Sequence, residues 1–132
     1  MLIVGLGTNS CEKPPFLDKF YSITVKNNSS EPIRVLIADK NATMQYPDTS
    51  LPAVKPALQK AEAGKSCYFD SRTNWEENLQ DLPADTLSIY FISNSTYENE
   101  DWSSVRANYN ILKRIDLSIQ DIQAVNYKIE YP

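Results

Sequence analysis

Acidic side chains are grouped at two places in the chain where they could hold a cation or transfer protons. Glu98, Glu100 and Asp101 lie close together, and Glu76 is followed directly by Glu77. Carboxylates are calcium ligands, and a pair of them can act as general acid and base. The spacing matches no EF-hand loop. A solvated helix start is therefore the favoured interpretation of the first group, and the sequence predicts neither a metal site nor a cofactor.

The sequence gives little support for nucleophilic catalysis, because the chain has no histidine and only two cysteines. Histidine is the usual near-neutral general base, and it also completes many zinc sites and Ser–His or Cys–His nucleophile pairs. Cys67 stands beside Tyr68 and Phe69 in a strand-like segment. We interpret it as a small buried core residue and predict no catalytic residue.

Aromatic residues are the other candidates, since they dominate contacts with sugars and protein partners. Trp75 and Trp102 each precede an apolar residue by about one helical turn, which favours core packing. Tyr97 stands in the polar stretch 94–101, which we predict to be an exposed loop. The second predicted contact loop is the proline-rich segment 46–56, called the proline loop below. The candidate contact residues are Tyr46, Asp48, Tyr97, Glu98 and Asp101.

Cys11 ends an opening segment that differs in composition from the rest of the chain. Residues 1–10 carry no charged side chain and contain a short apolar run, too short to span a bilayer. Thr8-Asn9-Ser10-Cys11 is a loose version of the lipobox at which bacterial lipoproteins are acylated. We predict a signal-peptide remnant (1–10), a lipidated tether (11–19) and lipidation at Cys11. The alternative is an N-terminal strand with a buried cysteine.

Size and charge restrict the class of protein. A chain of 132 residues fits one domain, placed here at 20–132. The net charge of −4 and the pI near 4.8 argue against a nucleic-acid partner, because binding to phosphates requires a basic face on the protein.

Alternating and continuous apolar patterns predict the strands that must position these residues. Strands are expected near residues 21–25, 33–37, 57–61, 66–70, 86–93, 109–117 and 127–131. The first two are expected to form a hairpin or a two-strand corner, and the third and fourth a hairpin. The run 86–93 is almost entirely apolar, so it should be the central strand.

Three short helices are expected between the strands. Asn74, with Glu77 three residues later, predicts the start of the first helix. The second helix is expected to be capped near Asn99 or Asp101. Ser118 and Asp121 form a capping box, which predicts that the third helix starts at Ile119. Six or seven strands with antiparallel-type spacings and short helices predict a mainly β (α+β) domain, an antiparallel β-sandwich.

The C-terminal third carries a resemblance to a known group of proteins. It contains YNILKRIDLS at 109–118, DI at 121–122 and YKIEYP at 127–132, and YPDTSLP at 46–52 agrees with the same layout. These motifs resemble a family of small uncharacterised lipoproteins of the Bacteroides group. The resemblance implies an acylated Cys11 and attachment to the outer membrane of a bacterial envelope, on either face. It implies no catalytic residues.

Three functional hypotheses follow. The first is a non-enzymatic binding or assembly module for a glycan or an envelope protein, anchored through Cys11 and using the loops 46–56 and 94–101. The second is a glycan-processing enzyme that uses carboxylates, either Glu76 with Glu77 or the group at 98–101. The third is a purely structural subunit, which an open sheet edge or an exposed apolar patch would support.

Overall fold

The computed structural model describes residues 20–132. The strands in this range are β1 (Tyr21–Asn27), β2 (Ile33–Ala38), β3 (Gln59–Ala61), β4 (Ser66–Ser71), β5 (Leu87–Ser93), β6 (Lys113–Leu117) and β7 (Lys128–Tyr131). The predicted signal-peptide remnant, the tether and Cys11 lie outside the described residues.

The helices are short, and two of them have the side-chain caps that the sequence predicts. They are α1 (Trp75–Gln80), α2 (Asn94–Asn99), α3 (Trp102–Asn108) and α4 (Ile119–Ala124), with a 3-10 turn at Pro83–Asp85. The Asn74 side chain accepts the Glu77 N–H at 2.8 Å and caps α1. Ser118 and Asp121 form the predicted capping box, with reciprocal bonds of 2.9 and 3.1 Å. These caps satisfy backbone N–H groups that the first helical turn leaves without partners.

The strands form two sheets. The three-stranded sheet has the order β4-β1-β7, and the four-stranded sheet has the order β3-β2-β5-β6. β5 pairs with β2 on one side and with β6 on the other, so it is the interior strand that its apolar run predicts. The domain is mainly β with short helices, and the predicted α+β, sandwich-like class is confirmed.

The predicted pairing of β3 with β4 is wrong, because the two strands belong to different sheets. β3 pairs with β2, whereas β4 pairs with β1. The Gly64–Lys65 turn between them bonds instead to the end of β1, through Gly64 N to Asn27 O and Asn27 N to Lys65 O, both 2.8 Å. β1 and β2 likewise separate into the two sheets, so their connection is the corner and not the hairpin.

β7 departs from the antiparallel pattern. It lies parallel to β1, with Val25 opposite Ile129. The chain reaches this position after α4 through residues 125–127, called the link below. Asn126 and Tyr127 in the link both have positive φ. The N–H of Thr24 then donates to the carbonyl of Tyr127 at 2.9 Å.

The main core lies between the two sheets, and residues of both contribute to it. Alternate side chains of β1 and β2 point into it, as their period-two patterns predict. Trp75 and Leu79 of α1 and Ile122 of α4 complete it. Its other buried members are Ile23, Val25, Ile33, Val35, Ala61, Cys67, Leu82, Leu87, Ile89, Phe91 and Ile129.

A second core covers the opposite face of the four-stranded sheet. Leu36 and Ala38 of β2 join Tyr90 and Ile92 of β5 on this face. They pack against the segment between β2 and β3 and against α3, through Met44, Leu51, Leu58, Trp102 and Val105. β5 is therefore covered on both sides, which explains its continuous apolar sequence.

Two local predictions need correction. The stretch 94–101, expected to be a loop, contains helix α2, in which Asn94 and Thr96 are buried against the sheet. The strand expected over 109–117 starts only at Lys113, because Tyr109 ends α3 in the left-handed conformation (φ 52°). Helix α3 begins after Asp101, one of the two predicted start positions.

Candidate functional site

The proline loop lies over the second core and forms one wall of the candidate site. It has no strand partner of its own, since three prolines interrupt it. Within the loop the Leu51 side chain is buried, whereas Val54 is 80% exposed. The loop thus presents an apolar side chain to solvent while its base is part of the core.

Side chains of β5, α2 and α3 hold the loop in place by donating to its backbone carbonyls. The Trp102 Nε1 donates to Pro52 O at 2.8 Å, and the Tyr97 hydroxyl donates to Pro56 O at 2.6 Å. Arg106 Nε donates to Leu51 O at 2.8 Å, and the Tyr90 hydroxyl donates to Asp48 O at 3.3 Å. These bonds satisfy carbonyls that a sheet would otherwise pair, so the loop is structurally fixed.

A groove of about 520 Å³ runs between this loop and the segment that follows β2. Its walls are mainly apolar and include Leu36, Met44, Pro52, Val54 and Pro56. Asp39 and Lys55 also line it and supply one charge of each sign. A mainly apolar concavity of this size is a binding surface in many proteins.

Charged groups surround the Tyr97 ring beside the groove. The guanidinium carbon of Arg34 lies 4.7 Å from the ring centroid and Lys55 Nζ lies 4.4 Å from it. Arg34 also contacts Glu98 at 3.2 Å and donates to Asn94 Oδ1 at 2.7 Å. Cation–π contacts and the hydrogen bond to Pro56 therefore fix Tyr97 as a structural anchor of the loop.

The five sequence-predicted contact residues divide between the two segments. Tyr97 is half-buried on α2, so its predicted place in an exposed loop is wrong, and Glu98 pairs with Arg34. Asp101 precedes α3, and its carboxylate accepts from the Ser103 hydroxyl. Tyr46 is half-buried. The fold brings the proline loop against Tyr97.

Asp48 is exposed on the proline loop, and its carboxylate is locally stabilised. The backbone N–H of Ser50 donates to it at 2.9 Å. This bond, the Ser50 hydroxyl, and the charges of Arg114 and Arg106 hold the pKa of Asp48 below its ordinary value. Asp48 therefore carries its negative charge at neutral pH.

The residues that sequence reasoning missed are Arg34, Val54, Lys55 and Arg106. Val54 had a visible signal, because an apolar residue between Pro52 and Pro56 cannot enter a helix or an interior strand. The two arginines gave none, since their partners lie more than twenty residues away in the chain.

The carboxylates considered for acid–base chemistry have different partners. Glu98 pairs with Arg34, and Glu100 accepts from Asn110 at 2.8 Å. Glu77 is exposed and accepts from Asn74 at 3.3 Å, whereas Glu76 lines a separate cavity. Within residues 20–132 no three acidic or cysteine side chains converge as a metal site would require.

Cys67 is a free thiol in β4 and only 4% exposed. Burial raises its pKa to about 11. A thiol in this setting stays protonated at neutral pH, which agrees with the predicted core role.

A third concavity, called the seam, lies where the outer strands of the two sheets face each other. It is about 500 Å³, and Ile115 and Leu117 of β6 line it together with Ile129 of β7. Val125, which is 47% exposed, stands beside them. Among residues 20–132 both strands are at sheet edges, so in this part of the chain each has one side without a strand partner, next to apolar side chains.

Comparisons with protein-family models, with curated proteins and with solved structures found no match for this chain. Among residues 20–132, no helix has the length and apolar character needed to cross a membrane.

Proposed function

We propose that this protein is a membrane-anchored, non-enzymatic binding module of a bacterial outer envelope, which docks a partner protein in the groove beside the proline loop. The observation that carries the proposal is an apolar groove whose wall is held by four side-chain bonds to the loop backbone. A surface that is rigid before binding loses less conformational entropy when its partner docks.

The groove chemistry favours an apolar segment of a protein over a sugar at this position. Met44, Pro52 and Val54 supply apolar surface, and methionine is a flexible residue that is enriched in protein interface cores. A sugar would require several converging hydrogen-bond groups, and the groove walls are mainly aliphatic. Exposed Val54 is the side chain best placed to enter a pocket on the partner.

The membrane anchor rests on Cys11 and on the resemblance to lipoproteins. Each acyl methylene buried in a bilayer contributes about 0.8 kcal/mol, so several acyl chains hold a protein on the membrane. The tether 11–19 then carries the domain that begins at residue 20. An anchored module meets its partner at the membrane surface, where an envelope protein is the expected ligand.

The anchor is tested by fractionating cells that express Cys11→Ala. We expect this variant to leave the membrane fraction, because it has no acylation site, whereas wild type remains there. Cys67→Ala is the matched control and should stay with the membrane. Retention of Cys11→Ala in membranes would exclude the lipid anchor.

The groove is tested by photo-crosslinking of the full acylated chain in its own membranes. A photoreactive residue is placed at Val54 or, as the control, at the similarly exposed Val125. We expect a discrete product from position 54 only, which identifies the partner. The purified partner should then bind Val54→Asp at least tenfold more weakly than wild type and bind Val125→Asp normally. Equal binding of both variants would contradict the proposal.

A second candidate function, a structural subunit, is favoured by the seam between β6 and β7. The apolar side chains of two open strand edges could be covered by another subunit. The same crosslinking experiment separates the two candidates. A product from position 125 and none from position 54 would support the structural role.

A further inference from the structure

A cavity of about 450 Å³ lies apart from the groove, where three chain segments meet beside the main core. Tyr21 comes from β1, Trp75 and Glu76 from α1, and Asn126 and Tyr127 from the link between α4 and β7. Asn74, the cap of α1, also lines it. The cavity shares no residue with the groove, so an inference about it goes beyond the proposed function.

Hydrogen bonds between the segments fix the walls of this cavity. The Trp75 Nε1 donates to the carbonyl of Tyr21 at 2.9 Å, which holds α1 against β1. The N–H of Thr24 donates to the carbonyl of Tyr127 at 2.9 Å, which holds the link against the same strand. Gln123 Nε2 donates to Glu76 at 3.4 Å and ties α4 to α1. The walls are therefore formed before any ligand enters.

The backbone of the link is unusual for the residues it carries. Asn126 and Tyr127 have φ angles of 55° and 61°, a left-handed conformation that asparagine tolerates but that is uncommon for a bulky residue such as tyrosine. The N–H of Asn126 donates to Gln123 O and that of Tyr127 to Ile122 O, both at 2.9 Å. Glycine would make this turn without strain, yet the chain places an amide and a phenol there, and both line the cavity.

The lining combines aromatic rings with polar side chains, one of which is a carboxylate. Tyr21 and Tyr127 are half-buried, and Trp75 forms a deeper wall at 4% exposure. Asn126 supplies an amide with two donors and an acceptor, and Glu76 supplies a carboxylate that accepts. Among residues 20–132, no lysine or arginine lines the cavity, which disfavours an anionic ligand. The polar side chains disfavour a purely apolar one.

We infer that this cavity binds a neutral sugar residue, with the tyrosine rings against its apolar face and with Asn126 and Glu76 bonded to its hydroxyls. Sugar rings present C–H groups on their faces and hydroxyls at their edges, and this division matches the walls. The inference makes the protein a module with two separate contacts, a glycan at this cavity and a protein at the groove.

Titration of the ¹⁵N-labelled full chain with neutral monosaccharides, namely glucose, galactose, mannose and N-acetylglucosamine, tests the inference by NMR. We expect at least one sugar to shift the Trp75 indole N–H and the amides of Asn126 and Tyr127. Choline is titrated in parallel, because aromatic rings with a carboxylate can also hold an organic cation. Shifts with choline alone, or with no ligand, would overturn the inference.

Variants separate a direct contact from a structural effect. Asn126→Gly removes the amide at a position where glycine fits the backbone, so the fold is retained. We expect it to weaken sugar binding at least fivefold with no loss of thermal stability. Glu76→Gln should also weaken binding, whereas Glu77→Gln, its exposed neighbour, is the matched control and should not. Unchanged affinity in both cavity variants would overturn the assignment, and unchanged crosslinking at Val54 would show that the groove is independent.

Discussion

Two buried ionisable side chains contribute to the response of the folded protein to alkaline pH. Cys67 and Tyr90 are 4% and 0% exposed. Burial raises the pKa of Cys67 from 9.0 to about 11 and that of Tyr90 from 10.0 to about 12. Both side chains are neutral when protonated, so the folded state holds their protons at a pH at which the unfolded chain releases them.

We predict that the free energy of unfolding falls as the pH rises from 9 through about 11. In this range the folded state binds more protons than the unfolded state, and rising pH then favours unfolding. The urea midpoint of wild type should decrease between pH 8 and pH 10.5. Cys67→Ala should show a shallower decrease, whatever its stability at pH 8, whereas Tyr68→Phe, at an exposed tyrosine, should follow wild type. Equal slopes for wild type and Cys67→Ala would contradict the argument.

At the scale of elements, Asn27 connects the two corners that send the chain from one sheet to the other. Its side chain is fully buried at the end of β1. It donates to Glu31 O at 2.7 Å and to Ala61 O at 3.0 Å, and it accepts from Ser29 N at 2.9 Å. One amide therefore satisfies backbone groups of the β1–β2 corner and of β3.

We predict that Asn27→Ala lowers the free energy of unfolding by about 2 to 4 kcal/mol, because buried backbone groups lose their partner. Asn28→Ala is the control, since the Asn28 side chain is exposed and donates to Glu130 at the surface. Its cost should be about 0.5 kcal/mol or less. Urea denaturation measures both, and similar values for the two variants would refute the role of Asn27.

The sequence predicted elements better than their pairing. The caps at Asn74 and Ser118 are local, because partner and cap stand three residues apart. The pairing of β3 and of β4 does not depend on local sequence, since each pairs with a strand that is distant in the chain. The sequence does not predict helix α2, because its buried residues Asn94 and Thr96 are polar and produce no periodic apolar pattern.

At the scale of the molecule, the domain has three layers, and its two proposed contacts use different ones. The groove lies on the outer layer formed by the proline loop, α2 and α3, above the four-stranded sheet. The sugar cavity lies beside β1 of the three-stranded sheet, where the described part of the chain begins. With the proposed anchor at Cys11, these two proposed contacts could engage a glycan and a protein at the same time.

The sequence alone determined the class of domain, the interior strand, two helix caps and the core role of Cys67, because each depends on local patterns of apolar residues or on spacings of a few residues. Only the tertiary structure decided which strands pair, that the proline loop is held to Tyr97 and Trp102, and that Glu76 meets Tyr127 in one cavity. Those contacts join residues about forty to fifty positions apart, and their energies depend on packing that no local pattern encodes.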